Sequence, residues 1–221
     1  MVRTNEEIKK DVVDQLFWDD RVDAAEVTVE VDDGTVTLNG SVPTLIARHF
    51  ASADAMQVAG VAALDNCLDV RYPAIETAPS DTQIRSNVEN VLEWNPSIDA
   101  EQIRVKVENG IVTLEGSVDA LWKKFHIEEV VSQLSGVTAI DNQLVGVPTK
   151  DTSDEMIAEW VVNALNRNPS LNSQPIEVRV VNGVVRLAGV VPNWPARQTA
   201  IDVALHTFGA LGVDDQLKIA D

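Results

Sequence analysis

The chain has 221 residues, with 35 acidic against 17 basic side chains and a net charge of −18. It has no cluster of Lys and Arg of the kind that binds a phosphate backbone by counterion release, so nucleic acid is excluded as a partner. Apolar residues make up 45% but aromatics only 5%, so Val, Leu, Ile and Ala build the cores, and no apolar run approaches the roughly 18 residues of a transmembrane segment.

The first residues, Met1 to Glu7, are polar and lack an apolar stretch of the secretory type. A cytoplasmic location is the expectation, with the periplasm as the alternative if a leader has been removed. Thr4 with Glu7 has capping-box spacing and opens a helix. Ile8, Val12 and Leu16 recur every fourth residue and give it one apolar face. The helix stops near Trp18-Asp19. Two strands follow, with Val27, Val29 and Val31 alternating with polar residues, then Val36 and Leu38. Asp33-Gly34 between them is a tight-hairpin signal, because both residues tolerate positive φ. Gly40 is expected to end the hairpin. A second helix begins near residue 43 and ends at Gly60, the usual residue of a helix C-terminal cap. A third strand runs from Leu64 to Val70, parallel to the second if the two pair. Cys67, at the start of that strand, is the only cysteine, which excludes an intramolecular disulfide; it reads as a half-buried structural thiol.

This order then recurs twice. Gly34, Gly110 and Gly183 are spaced by 76 and 73 residues, as are Gly40, Gly116 and Gly189, and Gly60, Gly136 and Gly209. Asp65, Asp141 and Asp214, and Leu68, Leu144 and Leu217, follow the same offsets. The period is too long for a solenoid unit, so each copy reads as a small domain. Ser80 with Gln83, and Thr152 with Glu155, are the corresponding capping boxes. Ile84, Val88 and Leu92, and Ile157, Val161 and Leu165, are the corresponding helix faces. Asn95-Pro96 and Asn168-Pro169 stop those helices, since proline bars continuation. Asn109-Gly110 and Asn182-Gly183 are the hairpin turns. Second helices begin near 119 and 192, and third strands run from Ile140 to Val147 and from Val213 to Ile219. Linkers fall at Pro73 to Ser80 and at Pro148 to Ser153. The expected fold is α+β: three tandem α-β-β-α-β domains over residues 1–72, 79–147 and 152–221, each with two helices on a three-stranded mixed sheet.

The patterns V-x-V-x-x-G-x-V-x-L-x-G-x-V and G-V-x-x-(I/L)-D-N-x-L resemble the BON domain family. The first is close to complete at Val29 to Val42, Val105 to Val118 and Val178 to Val191. The second is best matched at Gly136 to Leu144, and the third copy departs from it with Gly209-Ala210 and Asp214-Asp215. The resemblance covers nearly the whole chain, but its signature is made of core and turn residues.

No catalytic pattern appears. His49, His126 and His206 share no repeat column, and no H-E-x-x-H, C-x-x-C or EF-hand pattern occurs. His126-Ile127-Glu128-Glu129 sets carboxylates beside a histidine, as surface helices often do. The expectation is a non-enzyme that needs no cofactor or metal. Asp19-Asp20 and Asp32-Asp33 read as a helix end and a turn. Trp18 and Trp94 share a column at first-helix ends and read as core, while Trp160 lies one step off its apolar row. Surface recognition remains. Trp122, Lys123 and Lys124, with Trp194 and Arg197, combine an aromatic with a cation at the second-helix starts and form the candidate interaction surface. The same tryptophans would equally cap the core from the helix end. Their register equivalents are aliphatic, Ile46 for Trp122 and Leu45 and Leu121 for Trp194.

The resemblance implies a non-enzymatic, phospholipid-binding or membrane-associated factor tied to osmotic or envelope stress. High negative charge argues against anionic lipid. A protein-interaction or chaperone-like scaffold in the cytoplasm is the second reading. A small-cation sensor, potassium in a relative that pairs a BON domain with a LysM domain, is the third; no second domain type is read in this sequence.

Overall fold

A computed structural model describes residues 3–71, 78–147, 152–171 and 175–220. The two expected linkers fall largely outside the described residues, at 72–77 and 148–151.

Helix α1 spans Asn5–Trp18, and its first turn carries the expected capping box. The Glu7 amide donates to Thr4 Oγ1 (3.3 Å) and the Thr4 amide to Glu7 Oε2 (2.9 Å), satisfying two otherwise orphaned N–H groups. Strands β1 (Val27–Asp32) and β2 (Thr35–Val42) form an antiparallel hairpin. Helix α2 (Leu45–Gln57) then returns the chain so that β3 (Ala63–Val70) lies parallel to β2, giving the order β1-β2-β3. Ile8, Val12 and Leu16 of α1 join Ala47, Ala51 and Ala55 of α2 over Val29, Val36, Leu38 and Leu68 of the sheet. The small alanines let α2 approach closely. Each large aliphatic buried there contributes roughly 1.5–3 kcal/mol.

The second copy repeats the order as α3 (Asp81–Trp94), β4 (Ile103–Glu108), β5 (Ile111–Val118), α4 (Leu121–Ser132) and β6 (Ala139–Gly146). The third runs α5 (Asp154–Arg167), β7 (Glu177–Val181), β8 (Val184–Val191), α6 (Trp194–Leu205) and β9 (Gly212–Ile219). The sheet orders are β4-β5-β6 and β7-β8-β9. The fold is therefore the expected one, six helices and three three-stranded mixed sheets. Each hairpin turn has two successive positive φ angles: 45° and 76° at Asp33-Gly34, and 52° and 76° at both Asn109-Gly110 and Asn182-Gly183. That is the tight-turn geometry the residue types demand. In the later copies the turn is also held by the first helix. The Asp81 carboxylate accepts from the amides of Asn109 and Gly110 (2.8 and 2.9 Å), and Asp154 does the same for Asn182 and Gly183.

The chain divides into two compact units, the first comprising Met1–Val91, Val105–Thr113 and Glu129–Asp141, the second Leu92–Arg104, Leu114–Glu128 and Asn142–Asp221. Within the second unit, Leu121 at the start of α4 belongs to the same buried cluster as Ile157, Val161, Leu187 and Leu217.

Several expectations need correction. The N-cap of α5 is Ser153, whose hydroxyl accepts from the Met156 amide, rather than Thr152. Gly40 lies inside β2 and does not end the hairpin; a Cβ there would stand 1.9 Å from the Glu26 carbonyl oxygen, so the strand bends past the chain entering β1. Gly60 does not cap α2, which ends at Gln57. It sits in the following turn at φ 96°, where a Cβ would press within 2.9 Å of Ile8 Cδ1. Cys67 is exposed, because Leu68 beside it takes the inward position of the alternating strand.

Candidate functional site

The second-helix starts are built around buried leucines. Leu45 and Leu121 are buried, and Trp194, which shares their column, is half-buried. Trp122, one residue further on in its helix, is also half-buried. Its ring lies 5.9 Å from that of His126, one turn on, and stacks on His206 at 6.3 Å and 14°.

Two of the cations beside these rings, Lys123 and Arg197, are paired within their own repeats. Lys123 Nζ is 2.7 Å from Asp119 Oδ1 and 5.9 Å from the Trp122 ring centre. Arg197 Nη2 is 2.7 Å from Asp215 Oδ2, and both side chains are partly covered. Arg197 Nε is buried without a hydrogen-bond partner among the described residues.

Repeat register explains the Arg197 pair. Arg48, Lys124 and Arg197 share one column, and Asn66, Asn142 and Asp215 share another. The Asn66 amide donates to the Arg48 carbonyl (3.2 Å), and the Asn142 amide to the Lys124 carbonyl (3.0 Å). These bonds tie the third strand to the second helix. A carboxylate cannot donate, so in the third copy the tie becomes an ion pair to Arg197. In all three copies the same side-chain oxygen still accepts from the amide two residues on, at Leu68, Leu144 and Leu217.

The exposed aromatics lie elsewhere. Trp18 is 79% exposed and Trp94 84%, against the expectation that both are core. With ~100° per residue, the last helical residue lies about 120° from the centre of the stripe formed by the i, i+4, i+8 leucines and valines. That rotation was available in the sequence. Phe17, also exposed, packs edge-on against Trp18 at 5.5 Å. In the second unit Trp94, Phe125, Trp160 and Phe208 are exposed, the last two with rings 6.2 Å apart.

Copy one has a further feature that sequence reading missed. A cleft of about 460 Å³ opens between the end of α1 and strand β1, with Val13, Phe17, Val27 and Val29 among its walls and Asp20 and Asp23 at its edge. Nearby, Asp54 of α2 is 2% exposed and its Oδ2 has no hydrogen-bond partner among the described residues. Burial above all, then the neighbouring Asp19, pushes its carboxyl up to about 6. Asp19 is held well below the usual carboxylate range by hydrogen bonds from Arg21, whose Nε lies 2.9 Å away. Arg21 in turn stacks over the Phe50 ring at 4.1 Å. The register equivalents of Asp54 are Val130 and Val203, so an acidic residue in an otherwise apolar column was the available signal.

Among the described residues, no group of three or more His, Cys, Asp or Glu side chains could hold a metal ion, and no helix is long and apolar enough to cross a membrane.

The BON domain model matches residues 4–72, 80–148 and 153–221. Osmotically-inducible protein Y of Escherichia coli (strain K12) is 25% identical over 128 residues, an alignment covering 57% of this chain and 64% of that protein. The chain thus spans about 64% of the length of this curated relative. Two solved structures of CdsD, a structural protein of the type III secretion system of Chlamydia trachomatis, also align. One is 16% identical and covers 98% of this chain and 92% of its own; the other, a C-terminal domain, is 13% identical and covers 99% and 100%. Both have a TM-score of 0.27, at which the likeness carries no consequence for this chain.

Proposed function

The chain belongs to the BON domain family, with three tandem copies, and on that premise we propose that it is a non-enzymatic binding protein of the osmotic-stress type that associates with phospholipid surfaces by contact. The similarity to an osmotically inducible protein supports the stress role. The observation that carries the membrane reading is the pairing of exposed aromatics with low charge in the second unit. That unit presents Trp94, Phe125, Trp160 and Phe208 to solvent. It holds 9 basic and 15 acidic side chains, net −6, against −12 for the first unit. Amphipathic rings sit favourably at the boundary between headgroups and acyl chains. Lys123 and Arg197 are paired with carboxylates, so the attraction comes from apolar contact rather than from charge.

Flotation of the full chain with phosphatidylcholine vesicles and with phosphatidylglycerol vesicles tests the reading. Co-flotation with the neutral vesicles is expected, weaker with the anionic ones, and lost in Trp94→Ala/Phe125→Ala/Phe208→Ala. A chain that floats with neither vesicle, or whose flotation survives the triple change, overturns it.

A further inference from the structure

Strand β1 is the edge of its sheet: it pairs with β2, and among the described residues the order β1-β2-β3 leaves its other side without a strand partner. A free strand edge offers a row of backbone donors and acceptors to any extended chain. The cleft beside α1 lies along this edge, with Val27 and Val29 of β1 in its wall. Phe17, 74% exposed at the end of α1, forms the opposite wall. An apolar slot therefore runs beside an open hydrogen-bonding edge.

Charge selects the occupant. Asp20 and Asp23 border the slot and are exposed. Residues 1–76 carry 15 acidic and 6 basic side chains, net −9, the most acidic of the three copies. Two copies of this edge would oppose like charges, which disfavours self-pairing. A headgroup surface offers no backbone to pair with the strand, and an anionic one is repelled. An extended peptide with apolar residues at alternate positions and flanking Lys or Arg satisfies all three features at once: backbone to backbone, apolar side chains against Val13, Phe17 and Val27, and cations on Asp20 and Asp23.

We propose that the cleft between α1 and β1 of the first copy is a docking site for an extended, basic, apolar peptide segment of a protein partner, added as an extra strand on β1. This site is separate from the aromatic surface of the second unit, and its test does not depend on vesicle binding.

The probe is a labelled, capped heptapeptide, Lys-Val-Thr-Val-Thr-Val-Lys, titrated into the full chain by fluorescence anisotropy. Binding is expected to weaken with salt, as exposed charge pairs do. The Glu-for-Lys version and a version N-methylated at alternate amides are expected not to bind. Phe17→Ala and Asp20→Asn/Asp23→Asn are each expected to weaken binding about tenfold with an unchanged melting temperature, since these side chains are exposed. Trp94→Ala is expected to leave it unchanged. Equal binding of the Lys and Glu peptides, or full binding of the N-methylated peptide, overturns the proposal. So does a dimer in sedimentation that Phe17→Ala converts to monomer, because a second copy would then be the occupant.

Discussion

The Asp215 carboxylate lies 2.7 Å from the Arg197 guanidinium, at the position where the first two copies place an asparagine amide on a backbone carbonyl. One connection, from third strand to second helix, is thus made by two different chemistries in one chain.

It follows that Arg197 and Asp215 are energetically coupled. Arg197→Ala and Asp215→Asn each leave a partly covered partner unsatisfied and are expected to cost about 1–2 kcal/mol. The double change Arg197→Ala/Asp215→Asn is expected to cost less than the sum of its parts, with a coupling of about 0.5–1.5 kcal/mol. Urea titrations of the four proteins measure this; additive effects would show that the pair is incidental.

Asp54 sets a pH dependence. Its carboxyl is pushed up to about 6 from an ordinary value near 3.8, chiefly by burial. A raised acid binds its proton more tightly in the native state, so its contribution is complete below about pH 4 and is lost as pH rises through 6. Asp19, lowered by Arg21, has the opposite sign: it stabilises above its unfolded value and loses that effect on acidification. As pH rises from 4 to 7, the Asp54 contribution falls while that of Asp19 is already complete. Asp54→Asn is expected to raise stability by about 3 kcal/mol at pH 8 and to change little at pH 4. Melting curves from pH 4 to 8 decide it; a constant difference across that range would rule out the titration of Asp54 as the cause.

Gly40→Ala tests the bend in β2. The residue has φ 119°, and a Cβ would meet the Glu26 carbonyl at 1.9 Å; Gly116 and Gln102 repeat this at 2.0 Å. Backbone cannot yield as a side chain does, so a loss of about 3 kcal/mol or more is expected. Gly110→Val, at φ 76° and 2.8 Å from the Gly136 carbonyl, is also expected to destabilise, by about 1 kcal/mol or more. Wild-type melting midpoints in either variant would show that the strand relaxes.

The tryptophans separate into two classes. Trp18→Ala and Trp94→Ala remove exposed rings and are expected to change stability by less than about 0.5 kcal/mol. Trp122→Ala removes a half-buried ring stacked on His206, and Trp194→Ala a half-buried ring at the start of α6, so each is expected to cost about 1–3 kcal/mol. Chemical denaturation of the four variants would reverse the assignment if the order were inverted.

Local chemistry made much of this molecule legible from its residues. The i, i+4, i+8 stripes place Ile8, Val12 and Leu16 and their equivalents in the core, where all are buried. Asp-Gly and Asn-Gly specify the turns, because only such residues accept two successive positive φ angles. The threefold register gives the topology, since each copy must cover one face of its sheet with its own helices. Trp18 and Trp94 were misjudged although helix rotation alone turns them outward.

Tertiary structure decided the rest, because it depends on which distant atoms meet. Gly40 is required by the Glu26 carbonyl, fourteen positions earlier, which no local pattern announces. Leu121, at the start of α4, joins the buried cluster of the third copy. Arg197 finds Asp215 across an intervening helix and turn, so a cation read as available is already paired. The cleft beside Phe17 forms where the end of α1, the residues after it and β1 come together, so Val13 and Val29, sixteen positions apart, share its lining only in the folded chain.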